Sequence, residues 1–428
     1  MKNKLMTSCS ALLSAGLWLS GASALLACSS TDDGDAPLPT PTPGAVPSVT
    51  EQNSQPDEPS LYALLYLVWS DDGPTGYVAL SDTLDRTNVS LNDSREVPGY
   101  ASMAAVGGDL LVASGDEPSI TRYTIGPDLS WQSGPTLSFA NQGVEAAGFF
   151  RQFIADDDTA YAELEVNKRV VWDPSTLEIR GVKETSMLDL ERNGLALFAN
   201  YNRSYHRFQG SVMRPFSYHD EDWYEWAADT QLVVYDASTQ DEAKVLSAPC
   251  PGLDTVTTDE AGNSYFSTWE YPALHGLAGR AAPCVTKVNA DGTLGSLPDL
   301  TQWTEGRQLK LFNYLADGKA VAAVLHHEDY GDVDFPALDI DGFYEIEGLH
   351  YRLWLFDLEQ QSARPLEGIA EGYNVNSTYS IARLDGKSFV FLSAEDSSNT
   401  KVYELDSNGT ATERFEVPGV VYQWLKVR

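Results

Sequence analysis

The stretch TQLVVYDAST, residues 230–239, is an apolar run that ends in a polar turn, and it decides the fold because the same pattern is repeated. Seven copies occur: TGYVALSD (75–82), ITRYTIGPD (120–128), KRVVWDPST (168–176), TQLVVYDAST (230–239), CVTKVNADG (284–292), YRLWLFDLE (351–359) and TKVYELDSNG (400–409). Successive copies are about 45 to 65 residues apart, and no long segment between them has a helical period. Short β-rich runs separated by Asp, Asn and Gly turns predict an all-β fold.

A second apolar run precedes most copies, such as ALLYLVWS (63–70) before the first and KAVAAVLHH (319–327) before the sixth. We interpret these runs as strand B, and the repeated runs as strand C, of successive four-stranded blades, which predicts a seven-bladed β-propeller. VVYQWLKV (420–427) would then close the ring against the first blade, which removes open strand edges. A β-sandwich or a set of small β-modules is the alternative, but neither requires a repeat of this period.

The first 27 residues have the layout of a secretory signal. Lys2 and Lys4 precede an apolar run from Leu12 to Leu26, and the sequence LLAC follows at 25–28. A cysteine in this position resembles the lipobox of bacterial lipoprotein precursors. That resemblance implies cleavage after residue 27 and lipidation of Cys28.

Residues 28–60 are rich in Ser, Thr, Pro, Asp and Gly, which predicts a disordered tether between Cys28 and a propeller domain at 61–428. The formal net charge of −34 argues against nucleic-acid binding and against attraction to anionic lipid. Membrane attachment would therefore depend on the lipid. Similarity to lipoproteins favours the outer membrane, with the domain on the cell surface or on the periplasmic face.

Four cysteines are encoded, of which Cys9 leaves with the signal and Cys28 is the lipidation site. The remaining two, Cys250 and Cys284, are expected to form a disulfide, as paired cysteines of exported proteins usually do. Two buried thiols or half of a metal site are the rival interpretation, which is weaker because neither cysteine has a CxxC neighbour.

The connections between strands B and C all emerge on one face of a propeller. They are short in blades one, two, three and seven, and long in the other three blades, at 202–229, 272–282 and 328–350. Long loops in a compact domain are usually functional or disordered. Three of them on consecutive blades predict a functional sector on that face.

Arginine and aromatic residues are concentrated in these connections. The candidate ligand-binding residues are Arg203, Tyr205, Arg207, Arg214, Trp223 and Trp226 of blade four, Trp269 and Tyr271 beside the blade-five connection, and His326 at the blade-six connection. Guanidinium groups beside flat aromatic faces suit a planar anionic ligand or an aromatic partner surface. The alternative is that the aromatic rings simply pack the loop onto the disc.

The blade-six connection is rich in acidic residues. The sequence DIDG at 339–342 resembles the start of a calcium loop but lacks the later ligand positions. His326 and His327 are adjacent on an expected strand, so they point to opposite faces and do not easily share one ion. A solvated hairpin is the main interpretation of 328–350, and a cation site is the alternative.

The sequence contains no nucleophile elbow, HExxH motif or Walker loop, and none of its many carboxylates forms a pair whose spacing identifies it as catalytic. We therefore predict no catalytic residues, no cofactor and a protein that is not an enzyme.

The lipobox, the proline-rich tether and the seven predicted blades together resemble the propeller lipoproteins associated with siderophore uptake, including myxochelin-type iron acquisition. This resemblance implies capture of a ferric siderophore and its handover to a TonB-dependent transporter of the outer membrane. A propeller that binds an envelope protein or polysaccharide is the first alternative. An extracellular polymer lyase or hydrolase is the second.

Overall fold

The structure is a computed structural model, and the residues it describes belong to one compact unit. They are 59–70, 73–144, 148, 152–199, 205–269, 271–346, 350–369, 373–374, 381–394, 396–406 and 408–428. The predicted signal peptide 1–27, Cys28 and nearly all of the predicted tether lie outside the described residues. None of the described helices is long and apolar enough to cross a membrane.

The strands are numbered in chain order. The first three blades contain β1 (Tyr62–Ser70), β2 (Gly73–Ser81), β3 (Ser94–Val97), β4 (Ser102–Val106), β5 (Asp109–Ala113), β6 (Ser119–Ile125), β7 (Trp131–Ser138), β8 (Gln152–Ile154), β9 (Ala160–Glu165), β10 (Lys168–Asp173) and β11 (Glu178–Glu184). Blades four and five contain β12 (Glu191–Arg192), β13 (Leu195–Ala199), β14 (His206–Phe208), β15 (Ser211–His219), β16 (Thr230–Asp236), β17 (Glu242–Ala248), β18 (Leu253–Thr258), β19 (Ser264–Thr268) and β20 (Val285–Val288).

Blades six and seven, with the closing strand, contain β21 (Leu309–Ala316), β22 (Lys319–Leu325), β23 (Tyr351–Asp357), β24 (Ser362–Pro365), β25 (Tyr373–Asn374), β26 (Ile381–Leu384), β27 (Lys387–Ala394), β28 (Asn399–Leu405), β29 (Ala411–Pro418) and β30 (Val420–Lys426). The helices are α1 (Leu274–Leu277) and α2 (Ile340–Ile346), with 3-10 turns at 91–93, 140–142, 300–304, 327–330 and 335–337.

Within the described residues these strands form seven antiparallel sheets, which confirms the predicted all-β propeller of seven blades. Four sheets have four strands each. The fourth sheet has six strands, the fifth has three, and the seventh has five. Each of the seven repeated sequences supplies strand C of one blade, as expected.

The ring closes between the two ends of the folded chain. Strand β30 pairs with β1 from Tyr62 opposite Lys426 to Leu67 opposite Val420. Beyond the strands, the amide of Leu61 donates to the carbonyl of Arg428 at 3.1 Å. The predicted closing strand is therefore confirmed, and it supplies the innermost strand of blade one.

The core lies between neighbouring blades. In β22, every residue from Ala320 to Leu325 is buried. Alternate residues of this strand pack in opposite directions: Val321 lies in one cluster with Val390 of blade seven, while Ala322 lies in another with Phe312 of its own blade. Because both faces of a blade are buried, strand B has apolar residues facing in both directions. Its sequence is therefore a continuous apolar run.

An aspartate ends strand C in several blades and forms the turn to strand D. At the end of β16, Asp236 Oδ1 accepts the amides of Ser238 at 2.9 Å and Thr239 at 2.8 Å. Asp173, Asp357 and Asp406 accept equivalent hydrogen bonds from backbone amides, and these bonds reverse the chain in blades three, six and seven. An aspartate side chain that binds amides further along the chain favours a tight turn, which explains the Asp in the repeat.

The prediction for blade four is wrong in part. Residues 211–219, expected within a loop, form the buried strand β15, and 195–199 belong to the inner strand and not to strand B. Strand β13 pairs with β15 as far as Ala199 opposite Phe216, and β14 pairs with it from His206 opposite Met213. Proline cannot donate an amide to a sheet, and Pro215 made the segment resemble a loop.

Candidate ligand-binding face

Three long connections follow strand B of blades four, five and six, at 220–229, 269–284 and 326–350. We call the end of the disc that carries them the loop face. The connections of blades five and six were predicted, whereas that of blade four is shorter than expected because β15 extends to His219. The blade-six connection is not a hairpin, since it contains two 3-10 turns and α2.

The three connections contact one another. The hydroxyl of Tyr224 donates to the carbonyl of Leu338 at 3.3 Å, which links blade four to blade six. Arg280 of blade five donates to the carbonyl of Tyr224, pairs with Glu225 at 3.1 Å, and places its guanidinium 3.7 Å from the centre of the Tyr224 ring. The loop face is therefore one packed surface in this sector.

A chain of ring contacts runs through the three connections. The rings, in order, are Trp223, His219, Trp226, Tyr271, His275 and Phe343, with centroid separations of 4.5, 4.7, 5.5, 4.9 and 4.7 Å. We call this chain the aromatic row. It crosses from blade four to blade six, and Trp223 and Trp226 are only half-buried.

The turn that holds Trp223 and Trp226 is organised by Asp220. Its Oδ1 accepts the amides of Tyr224 at 2.7 Å and Glu225 at 3.0 Å. The Trp226 indole donates to the carbonyl of Trp223 at 2.6 Å. The two predicted tryptophans thus pack against their own loop while part of each ring faces solvent.

Two histidines of the aromatic row are buried and neutral. His219 Nδ1 donates to the carbonyl of Asp220 at 2.5 Å, and burial lowers the pKa of His219. Burial also lowers the pKa of His275 to about 3, and the neighbouring Arg280 adds to the effect. Neither imidazole carries a charge near neutral pH.

The predicted residues of blade five lie against the row. The amide of Trp269 donates to Asp254 Oδ1 at 2.6 Å, and its half-buried ring packs on the core. Tyr271 is buried and donates its hydroxyl to the carbonyl of Ala281, and burial raises the pKa of Tyr271. Both residues therefore stabilise the connection through contacts within the protein.

Cys250 and Cys284 are paired, with Cα atoms 5.8 Å apart, as predicted. Cys250 precedes β18, and Cys284 is the last residue before β20. The disulfide therefore anchors the end of the 269–284 connection to the start of its blade.

The predicted ligand residue His326 is engaged inside the protein. Its Nε2 accepts the indole N–H of Trp354 at 3.1 Å, and its Nδ1 lies 3.1 Å from Glu328. Burial lowers the pKa of His326, while Arg307, which donates to Glu328, lowers the pKa of that carboxyl to about 2. His326 anchors the start of the blade-six connection.

The predicted arginine cluster is not assembled with the tryptophans. Arg214 lies on β15 about 16 Å along the strand from His219, where it binds Glu163 of blade three at 2.7 Å. Tyr205 is buried beside it and donates to Glu163 at 2.8 Å, and Arg207 pairs with Asp156. Arg203 lies outside the described residues.

The carboxylates of the blade-six connection are exposed, including Asp332, Asp339 and Asp341. No group of three or more metal-ligating side chains is gathered among the described residues. Tyr224 belongs to the aromatic cluster of the blade-four loop seen in the sequence, but Arg280 and Phe343, which join the connections, were not singled out. No motif marks these two residues, because their partners come from other blades.

No protein-family model and no curated protein sequence matches the chain. Among solved structures, the periplasmic gluconolactonase of Pseudomonas aeruginosa matches with a TM-score of 0.54 at 12% identity, over 86% of this chain and 99% of that one. A putative 6-phosphogluconolactonase of Bacteroides fragilis matches with a TM-score of 0.47 at 10% identity, over 88% and 100%. A quinonprotein alcohol dehydrogenase-like protein of Bacteroides thetaiotaomicron matches with a TM-score of 0.43 at 12% identity, over 86% and 78%. The likeness shows the fold.

The prediction that the protein is not an enzyme is contradicted by this comparison. The Pseudomonas aeruginosa structure is named as a gluconolactonase on the same propeller fold, although the identity is low. Propeller sites can combine residues from several blades, so the lack of a local sequence motif does not exclude catalysis. The exclusion of enzymatic activity is withdrawn.

Proposed function

We propose that the protein is an envelope-anchored propeller whose loop face binds a neutral, hydroxyl-rich ring ligand, such as a segment of polysaccharide. The observation that carries this proposal is the aromatic row, which spans three blades and leaves Trp223 and Trp226 half-exposed. Flat aromatic rings pack against the apolar faces of sugar rings, whose hydroxyl groups stay at the edges. The two tryptophans are the members of the row that a sugar can reach, while the other four rings are buried and support them from within the protein.

Charge supports a neutral ligand. The chain has a formal net charge of −34, and Glu221, Asp222 and Glu225 are exposed beside the tryptophans. Arg280, the arginine of this sector, already pairs with Glu225. A multiply charged anion would be repelled by this surface, because like charges raise the cost of approach.

The ferric siderophore implied by the family resemblance is the weaker ligand proposal. It relied on a cluster of Arg203, Arg207, Arg214, Trp223 and Trp226. Of the arginines, Arg207 and Arg214 already pair with the carboxylates of Asp156 and Glu163, and Arg203 lies outside the described residues. Its support is the resemblance of the lipobox, tether and blades, together with the proposed handover to a TonB-dependent transporter. Lipidation at Cys28 and an outer-membrane location are retained as part of the proposal.

The point at which the proposed tether would join the domain leaves the loop face accessible to a ligand. Leu61 directly precedes strand B of blade one, which runs towards the loop face, so Leu61 lies at the opposite end of the disc. A tether that ends there would attach on the far side from the aromatic row. The loop face would then be turned away from the attachment point.

Tryptophan fluorescence and calorimetry of the full chain test the proposal, with cello-, chito- and malto-hexaose, and with ferric catecholate and hydroxamate siderophores, as probes. We expect saturable binding of one hexaose class that Trp226→Ala abolishes and that Trp131→Ala, on the outer strand of blade two, leaves intact. Mass spectrometry of the bound sugar would reveal any turnover. Binding of a ferric siderophore and of no hexaose would overturn the carbohydrate proposal.

A further inference from the structure

Four buried polar atoms, three of them on histidines of the aromatic row, have no hydrogen-bond partner among the described residues. They are His219 Nε2, Thr268 Oγ1, and both ring nitrogens of His275. His219 is 7% exposed, and Thr268 and His275 are 0% exposed. Buried polar atoms are nearly always hydrogen-bonded in proteins, so four such atoms on neighbouring elements require an explanation.

The three residues come from adjacent elements. His219 ends strand B of blade four, Thr268 ends strand B of blade five, and His275 lies in α1 of the following connection. Tyr271 contacts the His275 ring at 4.9 Å and Trp226 at 5.5 Å, and Trp226 contacts the His219 ring at 4.7 Å. His219 and His275 therefore belong to one chain of ring contacts, and Thr268 ends the strand that leads into the connection carrying His275.

The chemistry of these atoms points to hydroxyl groups. Because His219 Nδ1 donates to the Asp220 carbonyl, its Nε2 is an acceptor. A neutral imidazole at His275 offers one donor and one acceptor, and the Thr268 hydroxyl offers both. A hydroxyl group also donates and accepts, whereas a carboxylate only accepts and an ammonium group only donates. This mixed set matches a polyol.

The connection 220–229 covers His219. Its backbone is held to the blade near this point by an isolated bridge between His219 and Trp226 and by the amide of Ala227, which donates to Tyr218 at 2.8 Å. Further out, Arg280 and the Tyr224–Leu338 hydrogen bond hold it to its neighbours. At its end, Asp229 pairs with Arg192 and anchors the connection to the blade. Between these attachments the connection is irregular and residues 221, 222, 225 and 228 are exposed, so it opens more easily than a strand.

We propose that His219, Thr268 and His275 form the hydroxyl-recognition site of the loop face, which a polyol such as a sugar ring reaches when the connection 220–229 lifts. This inference deepens the proposed carbohydrate binding and rests on it for the ligand. The lifting of the connection, however, is a property of the protein alone. It can be measured without any ligand.

Carbethoxylation of the full chain by diethyl pyrocarbonate, resolved by peptide mass spectrometry, tests the lifting. We expect His327 and His350, which are accessible, to react fastest, and His219 and His275 to react at least tenfold faster than His206, although His206 is half-buried and they are buried. His206 is the matched control, because it is held by Ser264 at 2.6 Å within the blades. Arg280→Ala should accelerate His219 and His275 but not His206.

Modification of His219 and His275 no faster than that of His206, in both the wild type and Arg280→Ala, would overturn the inference. Recognition is tested with the hexaose that binds: it should protect both histidines, and His219→Phe, which retains a ring in the row, should weaken its binding at least tenfold. Unchanged affinity in His219→Phe would reject the recognition role. Fast modification with no hexaose binding would reject the carbohydrate proposal and leave the moving connection established.

Discussion

Arg214 of blade four donates to Glu163 of blade three at 2.7 Å, and both side chains lie at the contact between the two blades. Tyr205 completes the group, since it receives a bond from Arg214 at 2.8 Å and donates to Glu163 at 2.8 Å. Loss of one partner of a buried ion pair leaves the other charge without compensation.

We therefore expect Arg214→Met to lower the free energy of unfolding by about 3 kcal/mol or more, the range for breaking a buried pair. Urea unfolding followed by fluorescence would measure it. Lys168→Ala, which breaks an exposed pair with Glu165, is the control and should change stability by less than about 1 kcal/mol. Equal effects of the two substitutions would show that the buried pair has no special role.

The disulfide gives a second prediction. Cys250 and Cys284 are 34 residues apart, so reduction should destabilise the domain by about 3 to 4 kcal/mol in the chain-entropy model. Thermal unfolding with and without a reductant would show the shift. The double variant Cys250→Ser and Cys284→Ser should have the lower melting temperature and should not respond to the reductant. A change in the melting temperature of that variant on reduction would show that the shift does not come from this disulfide.

The aspartate turns predict a dependence on pH. Burial would raise the pKa of Asp173, but hydrogen bonds from Ser175, Thr176 and Arg180 outweigh it and lower that pKa to about 2. Hydrogen bonds from Ser238 and Thr239 likewise lower the pKa of Asp236 to about 2. A folded-state pKa below the unfolded value of 3.8 means that the ionised form is favoured by folding. The stabilisation is complete above about pH 4 to 5 and is lost as the pH falls towards 2.

Melting temperatures measured between pH 6 and 2 would test this dependence. Asp236→Asn should be less stable at pH 6 and should lose less stability on acidification than the wild type. Asp332→Asn, at an exposed position of the blade-six connection, serves as the control and should follow the wild-type curve. Parallel curves for Asp236→Asn and the wild type would contradict the assignment.

The closing strand gives the fourth prediction. Trp424 of β30 is buried and contacts the rings of Phe389 at 4.6 Å and Phe415 at 5.6 Å, so it joins blade one to blade seven. Trp424→Ala should cost about 3 to 5 kcal/mol, as other large-to-small core changes do. Trp69→Ala, at a site that is 46% exposed, should cost less than about 1 kcal/mol by comparison. Chemical unfolding of both variants would measure the two changes in free energy of unfolding, and equal changes would contradict the prediction.

The sequence predicted the blade count because each repeat contains a turn-forming aspartate as well as an apolar run. Strand C ends in an aspartate that makes its own turn, as Asp236 does, and this local bond needs no distant partner. It also predicted the cysteine pair and the closing strand. It missed β15, because Arg214 and Pro215 look unlike a central strand until Glu163, the partner of Arg214 on blade three, is in place.

The sequence by itself determined the all-β class, the seven blades, the closure of the ring and the face that carries the long connections, since each depends on local turns and on apolar runs. The tertiary structure alone decided which side chains meet on that face. It turned Arg207 and Arg214 towards carboxylates of blade three, and it brought Trp226, Tyr271 and His275 together from two blades. Contacts between distant segments depend on how the blades pack, and no local pattern in the chain encodes them.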